Sequence, residues 1–273
     1  MSYEDIHSGY NSSAYSLSQV VKDPVKRWHQ VAYMYSGLQL TYASDRLPAV
    51  AAIVEREMRL RLDDAYIAGM WKKSLLYDLA WGTLSYETLP ARSPQIRSPT
   101  WAWPSSQMQV RWESGSLEPC LRLVDLSYTR VGPAHIGEVT NASILLEGHT
   151  YTIRLKEAFE RNASFLESCF EVVPRSLSNV RLQRCSAFMD FNWSTGDRPV
   201  RVGDALVVLP ISLLSEVICY TGLILREVTD GVFERVGIIN IEAVRKSEMT
   251  DLEETQIIYD FVEALPIRQV KII

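Results

Sequence analysis

Ser98-Pro99-Thr100-Trp101-Ala102-Trp103-Pro104-Ser105-Ser106 separates two patterns of hydrophobicity in this chain of 273 residues. Two of the seven tryptophans stand one residue apart here, bracketed by prolines that restrict φ and deny helix. In an extended segment Trp101 and Trp103 point to the same side and offer one partner a large aromatic surface. Upstream the apolar spacing is helical; downstream it alternates. The stretch reads as a hinge between a helical half and a β half.

Working outward toward the N-terminus, Asp23-Pro24 is a helix start, an N-cap acceptor followed by proline at the first position. Val25, Trp28, Val31, Ala32 and Tyr35 then keep helical spacing. A second helix is predicted from Ser44 or Asp45, with Leu47, Val50, Ala51, Val54 and Met58 as its apolar stripe. Glu55, Arg56, Glu57 and Arg59 then face water. A third helix is predicted over about Ala65 to Trp81, with Trp71, Leu75, Leu76 and Leu79 inward. Gly69 inside it costs about 1 kcal/mol relative to alanine, which a close approach of another backbone would explain.

Toward the C-terminus, Met108, Val110 and Trp112 alternate with polar partners as a half-buried strand does. Ile144 to Leu155 reads as two strands around Glu147-Gly148, and Asp230-Gly231 is the strongest hairpin signal. Residues 156–186 suit a short helix and a lid-like loop. Further strands are expected over Ala187 to Trp193, Ala205 to Leu209, Val217 to Glu227 and Val232 to Ile241. Thr250-Asp251-Leu252-Glu253 resembles a capping box and predicts a final helix to about Leu265. The expected fold is α+β: an arm over 1–22, a helical segment with its Pro/Trp linker over 23–105, and a β domain over 106–273. That domain is predicted to be an antiparallel barrel or sandwich ending in a short helix.

A series of short motifs runs through this frame. Trp28-His29-Gln30-Val31, Tyr35-Ser36, Leu40-Thr41, Ser44-Asp45-Arg46-Leu47-Pro48-Ala49-Val50, Ala68-Gly69-Met70-Trp71, Leu79-Ala80-Trp81 and Pro99-Thr100-Trp101-Ala102-Trp103 occur in order. The succession resembles the region that follows the HET domain in fungal heterokaryon-incompatibility proteins. Gly222-Leu223-Ile224-Leu225-Arg226 and Phe233-Glu234-Arg235-Val236-Gly237 resemble that family's C-terminal strands, so the likeness covers about residues 25–241. The family's N-terminal HET domain has no counterpart in this sequence, and Pro104 replaces the usual small residue after the second tryptophan. The resemblance therefore carries over no catalytic residue.

Composition narrows the chemistry. Formal net charge is −5 with no Lys/Arg run, so nucleic acid and anionic membranes are not expected partners. No segment approaches the roughly 20 apolar residues of a membrane span, and the acidic start is unlike a signal peptide; a cytoplasmic protein is expected. Four cysteines without C-x-x-C spacing and four scattered histidines indicate neither zinc nor a redox motif. There is no dinucleotide fingerprint, P-loop, H-E-x-x-H or G-x-S-x-G, so no cofactor is expected.

Two functions are compatible with that pattern, the first being the expected one and the second its alternative. One is a cofactor-independent enzyme of fungal secondary metabolism, performing cyclisation, pericyclic (Diels–Alder type) or isomerisation chemistry by positioning an apolar small molecule. Tyr66, Trp71, Trp101, Trp103, Tyr151 and Trp193 would wall its pocket. His149, sharing strand parity with Tyr151, Ile153 and Leu155, would be its catalytic group, because a neutral imidazole can donate one hydrogen bond and accept another. The other is a non-catalytic HET-family remnant that binds a protein or regulates a full-length relative. In that case the tryptophans are packing residues and His149 is a satisfied hairpin-end histidine. A bound metabolite or a closed apolar pocket favours the first; a filled interior and a flat exposed aromatic patch favour the second.

Overall fold

The computed structural model describes residues 22–38, 40, 42–83, 89–93, 96–112, 117–156, 165–167, 170–173, 182–196, 198–214, 219–243, 256 and 260–273. All but Lys22 of the expected arm, and the expected capping box, lie outside these residues, as does most of 156–186. The fold is mixed α+β, with few helices and a large sheet.

Helix α1 spans Pro24–Ser36 and starts where its sequence signal places it. The Asp23 carboxylate accepts from Val25 N at 2.9 Å and Lys26 N at 3.3 Å, satisfying donors that the first turn leaves open. The second helical region is broken: short 3₁₀ turns at Ala43–Asp45 and Pro48–Val50 precede α2, Ala51–Leu60. Glu57 does not face water. It is buried and takes the Arg27 guanidinium through Nε at 2.9 and 3.0 Å and Nη2 at 2.7 Å, tying α2 to α1.

The third predicted helix is absent as such. Tyr66–Ile67 (β1) and Met70–Trp71 (β2) form a tight hairpin in register Tyr66↔Trp71 and Ile67↔Met70. Ala68 (φ 52°) and Gly69 (φ 91°) make its two-residue turn, the doubly positive φ geometry that matches strand twist. A 3₁₀ turn, Lys72–Ser74, leads into a single helical turn, α3, Leu75–Asp78, and then β3, Trp81–Thr83, which pairs β4, Val110–Trp112. Tyr66 to Trp71 are all buried, so no polar face is left to reveal a period.

The large sheet has eleven strands. They are β5 (Leu117–Pro119), β6 (Leu121–Arg130), β7 (Val139–His149), β8 (Tyr151–Leu155), β9 (Phe165–Glu167), β10 (Phe170–Val173), β11 (Leu182–Met189), β12 (Ala205–Leu214), β13 (Cys219–Thr229), β14 (Val232–Ala243) and β15 (Ile267–Ile272). Its main order is β10-β8-β12-β13-β14-β15-β7-β6, with β11 also on β14, β9 on β11 and β5 on β12. Among the described residues this path runs between two edges and does not close into a barrel. Asp230-Gly231 turns the β13–β14 hairpin, with Gly231 at φ 69°.

Two local expectations are corrected here. Strand β7 passes straight through Glu147-Gly148 and breaks only at Thr150, because Gly148 pairs Leu121 on one side and Arg268 on the other. A Cβ on Gly148 would stand 2.9 Å from Leu121 Cβ, so the glycine serves close strand packing rather than a turn. The C-terminal helix covers 260–263 among the described residues, but a strand follows it: β15 pairs antiparallel with β7 and parallel with β14.

Both faces of the sheet are covered. On one, Ile153, Leu155, Leu206, Val208, Ile224 and Ile239 pack with Phe261, Val262 and Leu265 of the last helical turn. On the other, Ile144, Leu146, Leu209, Ile211, Leu223 and Leu225 receive Trp81, Trp101 and Trp103. Burying a large apolar side chain is worth about 1.5–3 kcal/mol, so these layers carry most of the stability.

Candidate functional site

Four of the residues proposed as pocket walls lie on the helical side of the sheet in two adjoining clusters, Tyr66 and Trp71 in one and Trp101 and Trp103 in the other. Trp28 from α1, Tyr66 from β1 and Trp71 from β2 form one aromatic cluster. Trp28 stands edge-on to Tyr66 at 5.3 Å (83°) and to Trp71 at 5.9 Å (90°), and Tyr66 to Trp71 is 5.2 Å. Trp101 and Trp103 descend from the linker beside them, and Trp28, Trp71, Trp81, Trp101 and Trp103 are all 0% exposed.

The Gly69 carbonyl is the hub. It accepts the indole N–H of Trp28 at 3.0 Å and of Trp103 at 2.6 Å, from chain segments on either side of the hairpin. A Cβ on Gly69 would lie 2.6 Å from Pro104 Cγ and 2.8 Å from Trp103 Nε1, so glycine is required by space as well as by φ. The close approach anticipated from sequence exists, but its partners are side chains. Trp81 Nε1 donates to Trp101 O at 2.9 Å, and Trp112 Nε1 to Asp78 O at 3.0 Å. The Tyr66 hydroxyl, Trp71 Nε1 and Trp101 Nε1 make no hydrogen bond among the described residues. Burial, with the nearby Asp78 and Tyr35 charges second and third, pushes the Tyr66 phenol above its ordinary value.

Two buried carboxylates anchor the junction. Asp78 accepts from Trp71 N at 3.0 Å, Ser74 Oγ at 3.1 Å and His29 Nε2 at 2.8 Å, while the His29 ring stacks on Trp112 at 4.1 Å and 3°. Asp190 Oδ2 accepts from Arg235 Nε at 2.9 Å. Arg235 also donates to Leu79 O at 2.8 Å and to Trp81 O, and its guanidinium lies 3.5 Å from the Trp81 ring centroid. Burial lowers the Arg235 value and raises that of Asp190, and their mutual attraction works against both shifts.

Tyr151 and Trp193 are not with the other four. They belong to the opposite face of the sheet. There Tyr151 Oη lies 2.5 Å from Tyr220 Oη, with the Phe261 ring edge-on to Tyr151 at 5.8 Å and stacked on Tyr220 at 6.0 Å. Trp193 Nε1 donates to Val236 O at 2.8 Å. His149 is half-buried at the end of β7, and its Nδ1 lies 2.8 Å from Leu265 O, an acceptor that selects the tautomer donating from Nδ1. The six aromatic residues thus divide among three buried clusters, and His149 borders the one that holds Tyr151, Trp193 and Leu265.

A small cleft with room for little more than a water molecule lies between β3 and β14, walled by Gly82, Thr83, Arg111, Phe188, Ile238 and others, and contains none of the residues nominated from sequence. Among the described residues no group of three or more His, Cys, Asp or Glu side chains could hold a metal ion. No helix among them is long and apolar enough to cross a membrane.

The sequence alone nominates none of His29, Asp78, Asp190, Tyr220 and Arg235 as site residues. Arg235 and Leu79 are 156 positions apart, so no local pattern links them. A charged residue inside the apolar run Val232 to Ile241 was the available signal, since buried arginine requires a partner. No protein-family model matches the chain, and no curated protein or solved structure shows significant similarity to it.

Proposed function

We propose that this chain is a non-catalytic binding or regulatory module of the heterokaryon-incompatibility kind, acting on a protein partner in the cytoplasm. One observation carries the reading: the aromatic surface that would line a substrate pocket is spent on the chain itself. The five tryptophans Trp28, Trp71, Trp81, Trp101 and Trp103 are 0% exposed, and three of them close hydrogen bonds on backbone carbonyls within the junction. Side chains held in this way have no face left for a ligand. The family reading rests on the resemblance of the ordered motifs around Trp28, Gly69 and Trp103, residues that also build the Gly69 hub.

The catalytic alternative rests on a different place. The Tyr151–Tyr220 hydroxyl pair is a polar feature inside an apolar layer, and His149 sits close in sequence, tethered to Leu265 under the last helical turn. A cofactor-independent cyclase or isomerase would use that layer by displacing Phe261.

Tryptophan emission separates the two. The binding module shows blue-shifted emission that candidate apolar metabolites leave unchanged, and it co-precipitates with a purified full-length heterokaryon-incompatibility protein. Saturable quenching by a metabolite that is then chemically converted would overturn the proposal in favour of the enzyme. Failure to associate with any full-length relative would remove the family reading.

A further inference from the structure

Three arginines converge on a single carboxylate beside the β13–β14 hairpin. Arg226 on β13 is the cross-strand partner of Glu234 on β14, donating to Oε1 from Nε at 2.8 Å, with Nη2 at 2.7 Å. Arg92 donates from Nη1 to Oε2 at 2.9 Å and from Nη2 to Arg235 O at 2.7 Å, and lies 4.2 Å from the Phe191 ring centroid. Arg198 reaches Oε1 at 3.3 Å through Nη2, while its carbonyl accepts from Arg226 Nη1 at 2.5 Å.

One carboxylate neutralises one of these three charges. The next buried acid, Asp190, is taken by Arg235, so among the described residues the cluster keeps a surplus of positive charge. Burial, then the like charges of Arg226 and Arg198, hold the Arg92 guanidinium below its ordinary value against the opposing pull of Glu234 and Asp190. The stack on Phe191 and the two backbone carbonyls fix the positions of Arg92 and Arg226 without discharging them. Exposure rises outward: the side chains of Glu234, Arg226 and Arg92 are 9%, 13% and 25% exposed, and Arg198 is 51% exposed. Each guanidinium carries five donors in a planar fork, more than one carboxylate can accept from three of them.

We propose that Arg92, Arg198 and Arg226 form a receptor for a small oxyanion, a phosphate or a carboxylate, seated over Glu234. Two or more oxygens in one rigid group suit the paired donors of neighbouring guanidinium forks. Arg198 is the outermost arm and closes on the ligand. The site does not depend on whether the chain catalyses a reaction.

Isothermal titration of the full chain with inorganic phosphate and, separately, with acetate tests this, with sodium chloride at matched ionic strength as the reference. Saturable binding of phosphate, acetate or both is expected, and the anion that binds identifies the oxyanion class. Arg198→Gln should weaken it about tenfold or more. Arg268→Gln, on the exposed part of β15, should leave it unchanged. Arg198→Lys keeps the charge but loses the fork, should weaken binding several-fold, and serves as the test should the neutral variant misfold. Heats that follow ionic strength alone, or binding that survives both Arg198 variants, would overturn the proposal.

Discussion

The two faces of the large sheet are held to their neighbours by different chemistry. The face toward the helices is stitched by polar groups at full burial: indoles on the Gly69 and Trp101 carbonyls, and Arg235 on Asp190 and two more carbonyls. The opposite face is mostly Ile, Leu and Val, with Phe261, Val262 and Leu265 laid on top and a tyrosine hydroxyl pair inside. An apolar layer tolerates exchanges of similar volume, but a buried polar bond needs its partner in place. The helical side is therefore the more exactingly specified, although its secondary structure is the less regular.

The sharpest way to break that comparison is Asp190→Ala. It leaves the Arg235 charge buried and unpaired, and should destabilise the chain by about 3–5 kcal/mol in urea denaturation. A loss under about 1 kcal/mol would mean that polar stitching does not distinguish this face.

Gly69→Ala comes next. It forces a Cβ into Pro104 and Trp103 at a φ of 91°, and strain plus overpacking should lower stability by about 2–4 kcal/mol. Thermal unfolding followed by tryptophan emission reads stability and the indole environment together. An unchanged emission maximum with full stability would dismiss the hub.

The smallest effect lies at Cys120, whose amide bonds Ile211 on the sheet. Burial pushes its thiol from an ordinary 9.0 up to about 11. The folded thiol keeps its proton after the unfolded one has lost it, so this group's contribution falls as pH rises from about 9 to 11. At pH 8 the thiolate is about 100-fold scarcer in the folded chain than in urea, and alkylation should slow accordingly. Mass spectrometry of the Cys120 peptide measures the ratio. Equal rates would place the thiol in solvent.

Much of the fold was legible where the signal is local. Asp23-Pro24 marks the start of α1, Asp230-Gly231 marks its hairpin, and alternation marks the long strands. The stretch from Ala65 to Trp81 was not legible as a hairpin. A segment buried on every side has no polar positions to set a period, and Ala68-Gly69 is a weaker turn signal than Asn-Gly or Asp-Gly. Strand β15 was missed because its partners, β7 and β14, lie far back in the chain. Of the candidate site, Trp101 and Trp103 share one buried cluster, as their spacing suggests, while Trp71 lies in another, and the Gly69 carbonyl that joins two indoles could not be foreseen.

By itself the sequence determined the start of α1, the Asp230-Gly231 hairpin and the alternating strands downstream of the Trp101/Trp103 stretch. Capping, turn chemistry and alternation act over a few residues, so they are written in a few residues. Tertiary structure alone decided that Arg235 serves Asp190, Leu79 and Trp81, that three arginines crowd onto Glu234, and that Tyr151 and Trp193 face away from the other aromatics. Apart from Arg226 and Glu234, which the hairpin itself sets opposite each other, those partners lie far apart in the chain, and only the tertiary fold brings them within hydrogen-bonding distance.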